Sequence, residues 1–147
     1  MSPSGRPELA VARLAQGVRD FSAEAWDRCA GSGNPFVSHA FLSILEDSGS
    51  ATAEAGWQPL PIAIDGPDRS LAGVAPCYVK SHSQGEYVFD HGWADAWHRA
   101  GGQYYPKLVI ASPFSPVPGP RLLTGDDDVA RGLIRAAEAI VTRNDLS

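Results

Sequence analysis

The stretch of residues 57–80 constrains the fold more than any other part of the sequence. Two apolar segments, 57–64 and 70–80, flank the turn sequence Asp-Gly-Pro-Asp at 65–68. Short apolar segments joined by such a turn predict a β-hairpin. Proline cannot donate a hydrogen bond to a sheet, so the two prolines of the first segment predict an irregular or edge strand, and Pro76 predicts a bulge in the second.

The remaining segments predict helices and strands around this hairpin. Ser22 and Ser38 precede helical patterns as N-caps, and three consecutive aspartates open an amphipathic last helix. Residues 112–120 hold four prolines, which exclude regular structure there. The predicted elements are a strand at 9–14, helices at 22–30 and 38–49, strands at 57–64, 70–80 and 86–90, a helix at 91–100, a strand at 105–111 and a helix at about 128–143.

This order of elements predicts an α/β (α+β) domain with a mixed, largely antiparallel central sheet, helices on both faces and an incomplete C-terminal end. The short connections between the three middle strands predict an antiparallel meander. The helix at 91–100 lies between two predicted strands, and we expect it to be a right-handed crossover that makes 86–90 and 105–111 parallel neighbours.

Composition narrows the classes of partner. The 147 residues carry a net charge of -5, which argues against duplex DNA as the main partner. Residues 78–121 are the exception, since four cations against three acids give +1 there, and this segment could face an anionic substrate. No apolar run reaches membrane-spanning length and no secretion signal opens the chain, so we expect a cytoplasmic protein. The two cysteines show no zinc-binding spacing, which predicts free thiols and no metal site.

Four sequence stretches resemble one bacterial family. They are Asn34-Pro-Phe-Val-Ser-His-Ala-Phe-Leu42, YVKSHSQGEYVFDHGWADAW from residue 78 to residue 97, Tyr104-Tyr-Pro-Lys-Leu108 and Pro113-Phe-Ser-Pro-Val-Pro-Gly-Pro-Arg121. Over about residues 30–124 the chain resembles Fem-like proteins, which are described as peptidoglycan biosynthesis/recognition proteins or GNAT-family acyltransferases.

The resemblance implies a fold and an activity. Fem-like proteins are similar to two GNAT-like halves in tandem, so residues 1–147 correspond to a single N-terminal GNAT-like domain whose C-terminal partner half is missing. The implied function is N-acyl transfer: an acyl or aminoacyl group passes to an amine, in peptidoglycan precursor metabolism. Acyl-CoA or aminoacyl-tRNA is the implied donor for the full-length family, and the implied substrate is an anionic or amine-bearing cell-wall precursor.

One junction departs from the GNAT pattern. A GNAT domain that binds acyl-CoA places a glycine-rich loop before a helix, where backbone N–H groups receive the pyrophosphate. Here the junction reads Phe89-Asp-His-Gly-Trp93, with one glycine and a carboxylate that would repel phosphate. We therefore expect this half to bind no cofactor and the isolated chain to be inactive.

Three residues are candidates for catalysis. Asp90 and His91 are adjacent where a strand gives way to a helix, and a carboxylate neighbour can raise the pKa of an imidazole that acts as general base. A helix-capping role for His91 is the alternative. His82 lies in a polar stretch between strands, where a solvated loop residue is the alternative.

Aromatic and cationic side chains near these positions are candidates for substrate binding. The aromatic residues could form a stacking wall or pack in the core. The cations could pair with phosphate or carboxylate, or be solvated surface charges. The substrate-binding candidates are Lys80, Tyr87, Trp93, Tyr104, Tyr105, Lys107 and Arg121.

Two other interpretations compete with catalysis. The chain could be a non-catalytic module that recognises the acceptor, or a truncated gene product with no independent role. The absence of a phosphate-binding loop favours both over autonomous catalysis. Residues 80–93 and 104–121 hold most of the cations of the net-positive segment, and we expect them to line one cleft with His82, Asp90, His91, Lys107 and Arg121 open to it.

Overall fold

A computed structural model of the chain describes residues 11–84 and 89–147. In chain order the strands and helices are β1 (Ala12–Leu14), α1 (Ala23–Ala30), α2 (His39–Asp47), β2 (Trp57–Pro59), β3 (Ile62–Asp65), β4 (Leu71–Ala75), β5 (Cys77–Lys80), α3 (His91–Arg99), β6 (Lys107–Ile110) and α4 (Asp127–Asn144). Short 3-10 turns at Val18–Asp20 and Pro35–Val37 precede α1 and α2. The fold is α+β, as predicted.

The predicted helix caps are present. Ser22 accepts a hydrogen bond from the backbone N–H of Ala25, and Ser38 accepts one from Phe41, so both serines satisfy donors that helix geometry leaves unpaired. Gly49 follows α2 with a φ of 78°, a left-handed conformation that glycine adopts without steric cost. These boundaries follow from local sequence alone.

The strands form two antiparallel sheets rather than the single sheet that we predicted. One has the order β1-β3-β4 and the other β2-β5-β6. Each predicted strand of the hairpin is divided, at Pro61 and at Pro76, because neither proline has an N–H to donate.

The two sheets nevertheless share one long hairpin. Pro59 pairs with Tyr78 and Ile62 with Ala75, so the register is the same on both sides of the prolines. The backbone of Leu60 donates to the carbonyl of Cys77 at 2.8 Å within the interruption. The predicted hairpin is therefore confirmed, with the prolines dividing its ladder.

The strand order at the C-terminal side differs from the prediction. β6 is antiparallel to β5 and takes the edge of β5 that we predicted for residues 86–90. Gly85 to Val88, and with them most of that predicted strand, lie outside the described residues, as do residues 9 and 10 of the predicted first strand. Phe89 and Asp90 are not in a strand. The described partner of β6 is therefore the antiparallel β5. The expected parallel pairing of residues 86–90 with β6 stays a prediction, because most of that segment lies outside the described residues.

Helices pack on both faces of the β1-β3-β4 sheet, as predicted. Alternate residues of a strand point to opposite faces. Ala63 and Val74 accordingly pack with Trp26 of α1 and Leu42 of α2. The other face packs against α4 through its predicted apolar stripe, and this cluster contains Ile62, Ile64, Ala75, Cys77, Val129, Leu133, Ala136, Ala137 and Ile140.

Candidate functional site

Three elements meet at one end of the β2-β5-β6 sheet. β5 ends at Lys80, which is paired with Lys107 at the start of β6. α3 begins directly after Asp90, its N-cap residue. The Asp90 side chain makes no capping hydrogen bond and turns to β6 and the segment before it instead.

The Asp90 carboxylate organises a compact group of polar side chains. Tyr105 donates its phenolic hydrogen to Oδ1 of Asp90 at 2.6 Å, and the Lys107 ammonium forms an ion pair with Oδ2. The Ser83 hydroxyl lies 2.7 Å from the Tyr105 oxygen. We call Asp90, Lys107, Tyr104, Tyr105 and Ser83 the Asp90 cluster. The side chains of its ion pair are 12% and 13% exposed, so the pair is largely withdrawn from solvent.

Aromatic rings surround the Lys107 ammonium. Its nitrogen lies 4.9 Å from the ring centre of Tyr104 and 5.2 Å from that of Tyr105, both within cation–π range. The two rings contact each other edge to face, with centres 5.0 Å apart. A carboxylate with two aromatic rings is an arrangement that binds an ammonium group, and in this structure the ammonium is that of Lys107.

The environment fixes the charge of Asp90. Burial alone would raise the pKa of its carboxyl, but the hydrogen bonds from Lys107 and Tyr105, with contributions from the nearby Ser83 and Tyr104 hydroxyls, outweigh burial and hold the pKa far below the usual range. Asp90 is therefore ionised throughout the physiological range. A carboxylate of such low basicity is a poor general base at neutral pH.

The tyrosines are held in the opposite state. Burial and the hydrogen bond to Asp90 raise the pKa of Tyr105 to about 12. The same two causes raise the pKa of Tyr104. Both phenols are neutral near pH 7, so they offer hydrogen bonds and ring faces rather than negative charge.

The arrangement is therefore suited to binding more than to proton transfer. An ionised carboxylate has about four hydrogen-bond acceptor positions. Tyr105 and Lys107 account for two described bonds to Asp90. A substrate N–H or ammonium that reached this carboxylate would find an acceptor of fixed charge, with aromatic faces beside it.

The structure brings together some of the residues that we predicted to line one cleft. Asp90 of the first segment contacts Tyr105 and Lys107 of the second, which brings the two candidate segments together at one point. His91 lies beside Asp90, but its exposed ring stacks on Phe89 with centres 5.4 Å apart. His82 accepts a hydrogen bond from the Gln84 backbone through Nδ1 at 3.2 Å.

Other predicted binding residues occupy different surroundings. Lys80 is fully buried, and Trp93 is 76% exposed on α3. The Arg121 guanidinium donates to the Val117 carbonyl at 2.7 Å and to two further carbonyls of its own proline-rich loop. Tyr87 lies outside the described residues. The substrate-binding roles of these side chains stay predictions.

Two residues of this region were not identified from the sequence. Ser83 is buried and bonded to Tyr105, and the Trp57 ring lies 4.2 Å from the Lys80 ammonium. Ser83 stands in the polar stretch from which we chose His82, and composition does not distinguish a buried serine from a solvated one. Trp57 begins the predicted hairpin, but only the register places it beside Lys80.

The remaining chemistry of the described residues is limited. Within residues 11–84 and 89–147, no group of three or more His, Cys, Asp or Glu side chains is placed to hold a metal ion. Cys29 and Cys77 are free thiols, and burial raises the pKa of Cys77 to about 12. None of the helices in the same residues combines the length and the apolar character needed to cross a bilayer.

The fold and the Asp90 cluster define an α+β chain with a charged and aromatic site at one end of a sheet. The family model FemAB-like, described as peptidoglycan biosynthesis/recognition, matches residues 17–147. The chain belongs to this family, and the Fem-like resemblance is confirmed. No curated protein and no solved structure matches the chain significantly. The wider GNAT relationship stays a prediction.

Proposed function

We propose that this chain is the acceptor-binding part of a cytoplasmic N-acyltransferase that acts on a peptidoglycan precursor. The family supports the cell-wall theme. The observation that carries the proposal is the Asp90 cluster, in which a permanently ionised carboxylate lies beside two tyrosine rings. In the proposed reaction an amine of the precursor receives an acyl or aminoacyl group.

Each member of the cluster has a role in this proposal. Asp90 accepts hydrogen bonds from the acceptor amine, and Tyr104 and Tyr105 bound the space beside it. Lys107 balances the charge of Asp90 and orients an anionic group of the precursor, such as a carboxylate. His91, whose exposed ring is adjacent to Asp90, is the candidate base that removes a proton from the amine.

We expect the acyl donor to bind outside this chain. Asp90 is committed to Lys107 and Tyr105 at the start of α3, and its negative charge disfavours a pyrophosphate at that helix end. Acyl-CoA or aminoacyl-tRNA would then be held by the second half that the resemblance implies. Calorimetric titration of this chain with acetyl-CoA should give no heat of binding, and micromolar affinity would contradict this part of the proposal.

A binding experiment tests the central proposal. A soluble muropeptide with a free side-chain amine should bind the chain more tightly than the same muropeptide with that amine acetylated, because acetylation removes the positive charge that Asp90 attracts. Asp90→Asn should weaken binding of the free amine about 10-fold or more and leave the acetylated ligand unaffected. Asp128→Asn is the matched control, since Asp128 pairs with Arg131 on the exposed side of α4. Equal affinity for the two ligands would refute the proposal.

A non-catalytic recognition module is the second candidate. It is favoured by the pKa values of the cluster, since neither Asp90 nor Tyr105 titrates near neutrality. Replacement of His91 distinguishes the two candidates in the complete enzyme. If His91 is the base, His91→Ala should lower turnover about 100-fold or more with muropeptide affinity retained. Unchanged turnover would leave this chain with recognition alone.

A further inference from the structure

Lys80 is a buried lysine on the strand next to Lys107 of the Asp90 cluster. It is the last residue of β5 and is paired with Trp57 on β2 and with Lys107 on β6. Directly paired residues share one face of a sheet, so the three side chains form a row. The Lys80 side chain is 0% exposed, and its ammonium lies over the Trp57 ring and donates to the Gln84 carbonyl at 2.7 Å.

This position is costly for a lysine. Withdrawing an ammonium from water carries a large desolvation cost that hydrogen bonds and nearby charges only offset. The Lys107 ammonium on the neighbouring strand adds repulsion between like charges. A methionine would fill a similar volume without either cost. The ammonium of Lys80 makes contacts that a methionine could not make, and its bond to the Gln84 carbonyl is one of them.

The Lys80 ammonium holds a turn formed by residues 81–84. Its bond to the Gln84 carbonyl closes this 81–84 turn at the far end. At the near end the Ser81 backbone donates to the carbonyl of Gly56 at 3.3 Å. The His82 ring packs directly on Gly56, where an added Cβ would lie 2.4 Å from Nε2. The turn is thus held at both ends by hydrogen bonds and in the middle by the contact between His82 and Gly56.

The turn places the Ser83 hydroxyl beside Tyr105 of the Asp90 cluster. The Tyr105 hydrogen points to Asp90, so the Ser83 hydroxyl must be the donor to the Tyr105 oxygen. Two hydrogen bonds therefore run in one direction, from Ser83 to Tyr105 and from Tyr105 to Asp90. Bonds aligned in this way polarise one another, which favours the ionised carboxylate at their end.

We propose that Lys80 is a positioning residue, whose bond to the Gln84 carbonyl holds the 81–84 turn in the conformation that aligns Ser83, Tyr105 and Asp90. Its importance for substrate binding rests on the proposed function of the Asp90 cluster. The effect of Lys80 on the ionisation of Asp90 does not depend on the proposed function, and it can be measured without any ligand. Lys80 then acts on the carboxylate through the turn and not by contact with substrate.

The test is a titration of Asp90 in four forms of the whole chain. The carbon-13 resonance of the Asp90 carboxyl would be followed from pH 7 downwards in wild type, Lys80→Met, Ser83→Ala and the double variant. We expect protonation of Asp90 to begin at least about half a pH unit higher in each single variant, because the aligned donor is lost. The double variant should shift no further than the larger single shift, since both changes break one chain of contacts.

Two results would overturn the proposal. A folded Lys80→Met chain in which Asp90 titrates as in wild type would show that Lys80 has only a packing role. Additive shifts in the double variant would show that Lys80 acts on Asp90 by a route other than Ser83. If Lys80→Met does not fold, Lys80→Arg serves instead, because its wider planar head keeps the charge but displaces the Gln84 carbonyl, and an unchanged titration would again refute the proposal.

The same variants separate this inference from the proposed function. If the muropeptide fails to bind wild type but Asp90 titrates as expected in the variants, the proposed function fails and the positioning role stands. If the muropeptide binds in an Asp90-dependent manner but Lys80→Met leaves both the titration and the affinity unchanged, the positioning role fails alone.

Discussion

The helices α3 and α4, which precede and follow β6 in the chain, are held in place by different interactions. In α4, Leu133 and Ile140 are buried against the sheets, and the Asp126 side chain accepts the backbone N–H groups of Asp128 and Val129. In α3, Ala94 is the buried residue and the Asp90 side chain makes no cap. Apolar burial and capping secure α4, whereas the polar contacts of its N-cap residue anchor α3.

This difference separates stability from function. Buried apolar area is the dominant favourable term in folding, so α4 contributes directly to the stability of both sheets. α3 contributes little apolar burial, but the carboxylate of its N-cap residue Asp90 is committed to Lys107 and Tyr105. An element that is weakly packed and strongly polar at one end is typical of a binding region rather than of a core.

Removal of a core side chain from α4 should have the largest effect. Leu133→Ala should lower the free energy of unfolding by about 2–5 kcal/mol, because it leaves a cavity between α4 and the strands. The control is the neighbouring Ile134→Ala, whose side chain is 44% exposed and should cost well under half as much. Urea unfolding followed by circular dichroism measures both. Equal losses would contradict the assignment of the α4 buried face.

Breaking the ion pair between Asp90 and Lys107 at the start of α3 should have an intermediate effect on the free energy of unfolding. Asp90→Asn keeps the shape of the side chain but removes the ion pair between Asp90 and the Lys107 ammonium, at a cost of about 1–3 kcal/mol at pH 7. Arg131→Met is the control, since it breaks an exposed pair on α4 and should cost no more than about 0.5 kcal/mol. A loss in Asp90→Asn as small as in the control would show that the Asp90 cluster does not anchor α3.

The stability difference between wild type and Asp90→Asn should depend on pH. The folded chain lowers the pKa of Asp90, so its ionisation favours the folded state. The contribution is complete above the ordinary aspartate pKa of about 3.9 and is lost as the pH falls from there towards the lower folded value. Unfolding curves at a series of pH values test this, and a difference that grows below about pH 4 would have the wrong sign.

Loss of the α4 cap should have a smaller effect. Asp126→Ala removes the acceptor of two backbone N–H groups and should cost about 1 kcal/mol. Hydrogen exchange should speed up in the first turn of α4 and stay unchanged at the C-terminal end of that helix. In wild type the first turn of α3, which has no side-chain cap, should already exchange faster than the first turn of α4.

A substitution on the outer surface of α3 should have the smallest effect. Trp93→Gln should change the free energy of unfolding by no more than about 0.5 kcal/mol, because most of this ring is in solvent. Trp26→Phe is the comparison, since the Trp26 indole N–H donates to the carbonyl of Val37 at 2.9 Å inside the core. A loss above about 1 kcal/mol for Trp93→Gln would mean that α3 is packed more tightly than its exposure indicates.

The parts of the fold that depend on neighbouring residues were predictable from the sequence. The caps at Ser22 and Ser38 and the apolar stripe of α4 follow from spacings of a few residues, and the structure confirms each. Pro61 was correctly predicted to make its strand irregular. The bulge predicted at Pro76 was wrong, because the register is the same on both sides of this residue. The two prolines interrupt the hairpin more than expected. Because Pro61 lies opposite Pro76, the hydrogen-bond ladder is interrupted in both strands at the same level.

The parts that depend on distant residues were not predictable. A single sequence offers no signal for which strand lies beside β5, so the antiparallel β6 was missed. Asp90, Lys107 and Tyr105 were each selected for chemical type, but the bonds that join them cross 15 to 17 residues of chain. Ser83 was missed because its importance comes from the hydroxyl that it meets, not from its own pattern.

The tryptophans give the chain two built-in optical reporters. Trp26 and Trp57 are buried, whereas Trp93 and Trp97 are exposed on α3. Iodide in solution should therefore quench the emission of the two α3 indoles and leave the shorter-wavelength emission of the core pair. Muropeptide bound at the start of α3 should reduce the quenching of Trp93 and Trp97 by iodide. Unfolding should instead change the emission of Trp26 and Trp57, so one fluorescence experiment distinguishes ligand binding from unfolding.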